Sequence, residues 1–266
     1  MIGQTKLLHR IDKQIEDGTF PHFSIIRGNR GSGKFMVANY IADRLGAGIC
    51  VSGKSVEAVR DVVSVAEKLT VRMVYVFQRA EDLSAQAVNA MLKTLEEPPE
   101  NVYFIFTTRN DQLLLDTIKS RGTMYTMNQY SKKDLLIYND KRPVPDFCKT
   151  PYDLDMYNRN AGFDDFVQLV IDNVGRVPLT NAMKIADRVD LDGTDDSKFD
   201  LGLFFEAFKY YCFESMKNQD SYDMVQMYYE WMSITVRYQK DALRTSANVK
   251  MLFDMWLMDI RQVAVV

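Results

Sequence analysis

The chain has 266 residues, 47% of them apolar, enough for one large domain or two to three smaller ones with proper cores. Its 33 basic against 36 acidic residues leave a net charge of -3, so no chain-wide basic field points to nucleic acid, and any DNA contact must be local or shared with partners. No apolar run approaches the roughly 18 residues of a membrane span, and Met1 to Gly18 is too charged for a signal peptide, so a soluble, cytoplasmic protein without membrane contact is expected. Cys50, Cys148 and Cys212 are scattered, without C-x-x-C spacing, and read as plain thiols rather than metal ligands or disulfides.

In chain order, Phe23-Ser24-Ile25-Ile26-Arg27 suits a buried parallel strand. Gly28-Asn29-Arg30-Gly31-Ser32-Gly33-Lys34-Phe35 follows, which is the phosphate-binding pattern G-x-x-x-x-G-K-[ST] with its last position broken. In such a loop the backbone around Gly28, Gly31, Ser32 and Gly33 cradles phosphate oxygens and Lys34 reaches the outer phosphates. The eighth residue should offer a hydroxyl to Mg²⁺, which Phe35 cannot do. Val37, Tyr40, Ile41 and Leu45 then fall at helical spacing from Lys34 to Leu45, and Gly46-Ala47-Gly48 stops the helix. Strand, glycine loop and helix N-terminus together form the anion-binding context that the pattern requires.

Ser55 predicts a capped helix with Val56, Val59, Val62, Val63, Ala66 and Leu69 on its apolar face. Val71 to Phe77 reads as a second strand, followed by Gln78, Arg79, Ala80 and Glu81. Ser84 caps the next helix, with Val88, Met91, Leu92 and Leu95 on one face, ended by Pro98-Pro99. Val102 to Phe106 is a third strand, then a short helix to Ser120 and an edge strand at Met124 to Met127. The alternation predicts an α/β fold with a parallel sheet, ligand lying beyond the strand C-termini. Ser131 opens a further helix, Lys141 to Pro145 marks a break, and helices are expected near 161–173 and 178–189. Asp190 to Ser197 is a polar linker whose carboxylate spacing misses the calcium-loop pattern. Residues 199–265 read as helices whose core faces carry Phe204, Phe208, Tyr211 and Cys212, and Leu252, Trp256 and Ile260.

Asn89-Ala90-Met91-Leu92-Lys93-Thr94-Leu95-Glu96-Glu97-Pro98-Pro99-Glu100 resembles the signature of bacterial clamp-loader subunits of the AAA+ class. Thr107-Thr108-Arg109-Asn110 is similar to that family's sensor-1 region, and Ser120-Arg121-Gly122 to its Ser-Arg-Cys motif. Ile2-Gly3-Gln4 and Pro21-His22 also fit. The segment from Asn173-Val174-Gly175-Arg176 to Ala186 resembles the lid helix, with Pro178 near the second sensor position, and Ala247 to Leu252 resembles the last collar helix. The resemblance implies a degenerate AAA+ P-loop domain over 1–128, a helical lid over 129–192 and a helical collar, serving oligomerisation, over 193–266.

Hydrolysing members end the second strand with acids that hold Mg²⁺; here Gln78 and Arg79 occupy those positions, a degenerate Walker B. Together with Phe35 this resembles the delta-prime branch of the family. The resemblance implies a largely non-hydrolysing assembly subunit holding ATP or ADP without turnover. Arg121 would act as an arginine finger in trans on a gamma/tau-like motor subunit, with a delta-like subunit, the sliding clamp and primer-template DNA reached through the complex. The four-cysteine zinc module of that branch is missing, so no zinc is expected. The alternative is a self-sufficient gamma/tau-like motor, for which Glu81 and Asp82 would have to serve as displaced acids.

Overall fold

The computed structural model describes residues 2–173, 189–190, 199–244 and 249–264. They fall into two compact units, Met1–Tyr138 and Asn139–Val266. In the first, β1 (Phe23–Arg27), β2 (Gly48–Val51), β3 (Met73–Phe77), β4 (Val102–Thr108) and β5 (Thr123–Thr126) form one sheet in the order β2-β3-β4-β1-β5. Every pairing is parallel, so all five strands end on the same edge. The expected α/β architecture is therefore present, with Thr123–Thr126 as an edge strand.

Strand alternation sorts the core into two layers. Phe23, Ile25, Tyr75, Phe77, Phe104 and Phe106 face one side, covered by α3 (Val56–Ala66), α4 (Ala85–Glu96) and α5 (Asp116–Lys119). This layer is largely aromatic: the Phe23 and Phe106 rings meet edge-on at 4.9 Å, and Phe77 lies 5.0 Å from Phe106. Ile26, Val74, Val76, Ile105 and Tyr125 face the other side, under α1 (Thr5–Glu16) and α2 (Lys34–Leu45). The two expected caps are made, Ser55 accepting from Ala58 N–H and Ser84 from Ala87 N–H. The short α6 (Lys132–Tyr138) closes this unit.

Two elements escape the sequence patterns. β2 is an edge strand of four exposed residues directly after the glycines that end α2, so it lacks a buried run. The second unit opens with α7 (Pro151–Arg159), whose signal is cap chemistry rather than an apolar stripe. Thr150 and Asp153 form a reciprocal capping box, with Pro151 in the first turn. α8 (Phe163–Asn173) follows, matching the helix expected there. The helix expected at 178–189, the lid segment from Val174 to Ala186 with Pro178, the linker from 191 to 197 and Ala247-Asn248 lie outside the described residues, apart from a two-residue bridge of Val189–Asp190 to Phe199–Asp200.

α9 (Leu201–Lys217), α10 (Tyr222–Arg244) and α11 (Val249–Ala264) complete the second unit. Phe204, Phe208, Cys212, Leu252, Trp256 and Ile260 are buried as expected, and Tyr211 is partly so. Trp256 meets Phe208 edge-on at 4.9 Å, while its indole N–H donates to the Thr235 hydroxyl at 3.0 Å. Trp231 donates to the Ile260 carbonyl at 3.0 Å, so both buried indoles are satisfied.

Gly122 explains one departure from the clamp-loader spelling. A Cβ there would sit 2.6 Å from Ile25 Cδ1, 2.7 Å from Cγ1 and 3.0 Å from the Phe23 ring, all core atoms. Gly122→Cys, which restores the family's Ser-Arg-Cys, should therefore destabilise the chain by about 1–3 kcal/mol. A denaturation midpoint equal to that of the wild type would contradict this packing.

Candidate functional site

The loop after β1 is built by its glycines. The Gly28 N–H donates to the Thr108 carbonyl at 3.1 Å, extending the β1–β4 ladder by one step. A Cβ on Gly28 would lie 2.6 Å from Ser32 Oγ and 2.7 Å from Met127. Gly33 takes the left-handed region at φ 84 and precedes α2, which has no side-chain cap. The unsatisfied N–H groups of the first turn thus face the loop, as an anion site requires. Ser32 is buried, and its Oγ has no partner within the described residues.

The loop is braced from outside by residues without an assigned role in the sequence patterns. The Tyr130 hydroxyl donates to the Ser32 carbonyl at 2.9 Å. Gln4 grips the Asn128 backbone through two 2.9 Å hydrogen bonds, and Gly3 lies against the Tyr130 ring. That bracing gives Gly3-Gln4 a physical function: it ties the start of α1 to the exit of β5 beneath the loop.

Lys34 folds back over the loop and donates to the carbonyls of Gly28 and Asn29, both at 2.7 Å. Burial, and then the nearby Arg109 guanidinium, pull its ammonium down to about 8, with Glu81 opposing. Phe35, the next residue of α2, exposes 37% of its surface.

The adjacent strand ends carry the rest. Gln78 and Arg79 leave β3 on the exposed side, and Arg79 is held in the left-handed region at φ 53. Arg79 Nε pairs with Asp82 at 2.9 Å, and Lys54 pairs with the same carboxylate oxygen at 2.7 Å. At the end of β4, Thr107 Oγ1 accepts from the Arg79 N–H at 3.3 Å. The Thr108 hydroxyl closes a local turn with the Asn110 backbone, donating and accepting at 3.1 Å. Glu81 accepts from the Arg109 N–H at 3.3 Å, and its second oxygen is buried without a partner among the described residues. Arg109 itself is shifted below the ordinary arginine value by burial and then by Arg30 and Arg79. Sequence patterns placed Arg109 only in a signature; its position just beyond a parallel strand end was the available signal.

The end of β3 thus carries an amide, Gln78, and a guanidinium, Arg79, and the acid that follows, Asp82, is engaged by two cations. These residues do not fit a divalent cation; they fit an anion. Among the described residues no cluster of three or more His, Cys, Asp or Glu side chains could hold a metal ion, Cys50 is exposed, and Cys148 and Cys212 are buried.

Arg121 lies elsewhere. Its Nε donates to Glu96 Oε1 at 2.8 Å, Nη2 reaches the same oxygen, and Nη1 donates to the Thr117 carbonyl at 2.8 Å and Ser120 Oγ at 3.3 Å. It precedes β5, where Thr123 aligns with Ser24 at the start of β1, whereas the glycine loop follows Arg27 at the other end. A strand length of roughly 10–13 Å separates the two edges, so Arg121 does not serve the loop of its own chain.

Residues 51–131 match the family described as DNA polymerase III, delta subunit. The chain is 28% identical over 166 residues to the DNA polymerase III gamma subunit of Buchnera aphidicola, covering 51% of this chain and 46% of that protein. It is 28% identical over 155 residues to the delta-prime subunit of Haemophilus influenzae, covering 46% and 47% of the two chains. Over residues 51–131 the chain is thus similar to subunits of the bacterial clamp loader. The tau subunit of Escherichia coli is 30% identical over 152 residues, 46% of this chain and 24% of that one. The matched clamp-loader segments thus span less than half of each of these curated relatives. A gamma subunit-related protein from Thermotoga maritima shares the fold with a TM-score of 0.55 and 17% identity, covering 97% of this chain and 99% of that one. Among the described residues of the chain no helix is long and apolar enough to cross a membrane.

The buried Lys34 makes a prediction with a defined sign. The unfolded chain binds more protons than the folded one between about 8 and the ordinary lysine value of 10.5, so Lys34 makes stability rise with pH across that window. In Lys34→Met this part of the rise should vanish from urea unfolding measured at successive pH values. An identical pH slope in both proteins would show that the ammonium is not held as described.

Proposed function

We propose that the chain is a delta-prime-like, non-hydrolysing subunit of a DNA polymerase III clamp loader, lending Arg121 to the ATP site of a neighbouring motor subunit. The observation that carries this reading is the strand edge where Gln78, Arg79 and Phe35 stand in place of two acids and a hydroxyl. Without a metal contact or a base to activate water, a bound ATP or ADP is held and not cleaved. Arg121 supports the other half. It sits at the sheet edge away from its own loop, partly exposed and oriented by Glu96, Thr117 and Ser120. A guanidinium so fixed can stabilise charge on a phosphoryl group across an interface.

The gamma and tau relatives are as similar to the chain as the delta-prime one, so comparison alone leaves the motor reading beside the delta-prime one. The motor reading needs Glu81 or Asp82 to act as the acid, and both are committed, to the Arg109 backbone and to Arg79 with Lys54. In the proposed complex the partners are gamma/tau-like and delta-like subunits, with the sliding clamp and primer-template DNA engaged by the whole assembly. The helical second unit supplies the oligomer contacts; Met255 and Met258 on α11 keep apolar surface exposed for such a role.

Arg121→Ala should leave folding and assembly intact and lower clamp-stimulated ATP turnover by the reconstituted loader. Fingers elsewhere contribute roughly 10³–10⁵ in rate, and less is expected where one site of several is affected. Lys119, paired to Asp116 at 2.7 Å, is the control. Equal losses from Lys119→Ala and Arg121→Ala would replace the finger with a general basic patch.

A further inference from the structure

The crater around the loop has a charge unlike the rest of the chain. Against a net charge of -3 overall, Lys34, Lys54, Arg79 and Arg109 gather at the strand ends around the acids Glu81 and Asp82. Like charges held this close cost folding free energy unless something negative joins them. Burial is the main reason that Lys34 and Arg109 sit below their ordinary values, and repulsion adds to it: Arg109 acts on Lys34, and Arg30 and Arg79 act on Arg109. Arg79 also occupies a left-handed conformation at φ 53 and ψ 60 that non-glycine residues adopt at a cost of order 1 kcal/mol. Strain and repulsion converge beside an uncapped twelve-residue helix N-terminus and a buried Ser32 hydroxyl without a partner.

We propose that the Gly28–Phe35 loop binds a polyphosphate chain as a bare anion, with Arg79 and Arg109 supplying the positive charge that Mg²⁺ supplies in hydrolysing relatives. The proposal rests on the reading of Gly28–Phe35 as a phosphate loop and goes beyond it by removing the metal. The α2 N–H groups take the inner phosphate oxygens. Lys34 swings from the Gly28 and Asn29 carbonyls to the outer ones. Arg109, just past the end of β4, and Arg79, just past the end of β3, would supply charge-assisted hydrogen bonds to the remaining oxygens. Magnesium then competes with the protein: it neutralises the ligand and is repelled by the guanidinium groups.

The test is calorimetric titration of the full chain with ATP, and separately with inorganic tripolyphosphate, in EDTA and in excess Mg²⁺. The expected result is binding in EDTA, weakening when Mg²⁺ is added and when salt is raised. Tripolyphosphate binding as tightly as ATP would place the affinity in the phosphates; ATP binding much tighter would add a contribution from the nucleoside, and both outcomes support the site. Arg109→Gln should weaken binding by about tenfold, the worth of one charge-assisted hydrogen bond, with an unchanged melting temperature. Arg79→Gly should weaken binding while leaving the fold as stable or more so, because glycine accepts the left-handed conformation freely. Binding that requires Mg²⁺ overturns the metal-free proposal and leaves the phosphate loop standing. Binding in neither condition overturns both. A loss from the exposed control Lys68→Gln equal to that from Arg109→Gln reduces the effect to bulk charge and also overturns it.

Discussion

The parallel pairing of β1 with β4 is the constraint on which the site depends. Five residues on each strand run in register from Phe23 with Phe104 to Arg27 with Thr108, and the Gly28 N–H continues the ladder to the Thr108 carbonyl. β3 pairs with β4 on its other side, so the ends of β1, β3 and β4 lie together. That shared edge brings the glycine loop, Gln78-Arg79 and Thr108-Arg109 within reach of one another, although they are tens of residues apart in sequence. A one-residue slip would turn Ile25, Phe77 and Phe106 out of the aromatic layer, so the register is fixed by core burial. The parallel pairing of β5 with β1 separates Arg121 from the loop, because β5 begins where β1 begins.

What the edge presents is an inversion of charge. A glycine loop, a helix N-terminus and a lysine stand together, and in the proposed phosphate site a guanidinium, an amide and an exposed ring take the places of metal ligands. Glu81 and Asp82 remain nearby but answer cations, so they stabilise the crater rather than charge it for catalysis. Separation of functions follows physically. On the proposed reading, a site that repels Mg²⁺ would not cleave phosphate efficiently, and an arginine at the opposite sheet edge would act on another chain's substrate.

Much of this was legible from local pattern. The Ser55 and Ser84 caps, the three central strands and the strand–glycine loop–helix order follow from residues close in sequence, and all appear. β2 was not legible because an exposed four-residue edge strand has neither an apolar run nor a burial alternation. α7 was hidden because Thr150, Pro151 and Asp153 signal its start through capping rather than through an apolar face. The role of Arg109 and the Glu96–Arg121 pair depend on contacts across 28 and 25 residues, which only the sheet and the α4–α5 packing bring together. Gly122 could be seen to depart from the family spelling, but its cause, the Ile25 and Phe23 side chains beneath it, is a packing fact.

The central claim is that the strand edge has lost its hydrolytic chemistry. The most direct measurement is steady-state phosphate release from ATP by the purified chain alone with saturating Mg²⁺, compared with Lys34→Ala. The account predicts background rates for both proteins. Mg²⁺-dependent turnover by the wild type that disappears in Lys34→Ala would contradict it, and would return the chain to the motor class.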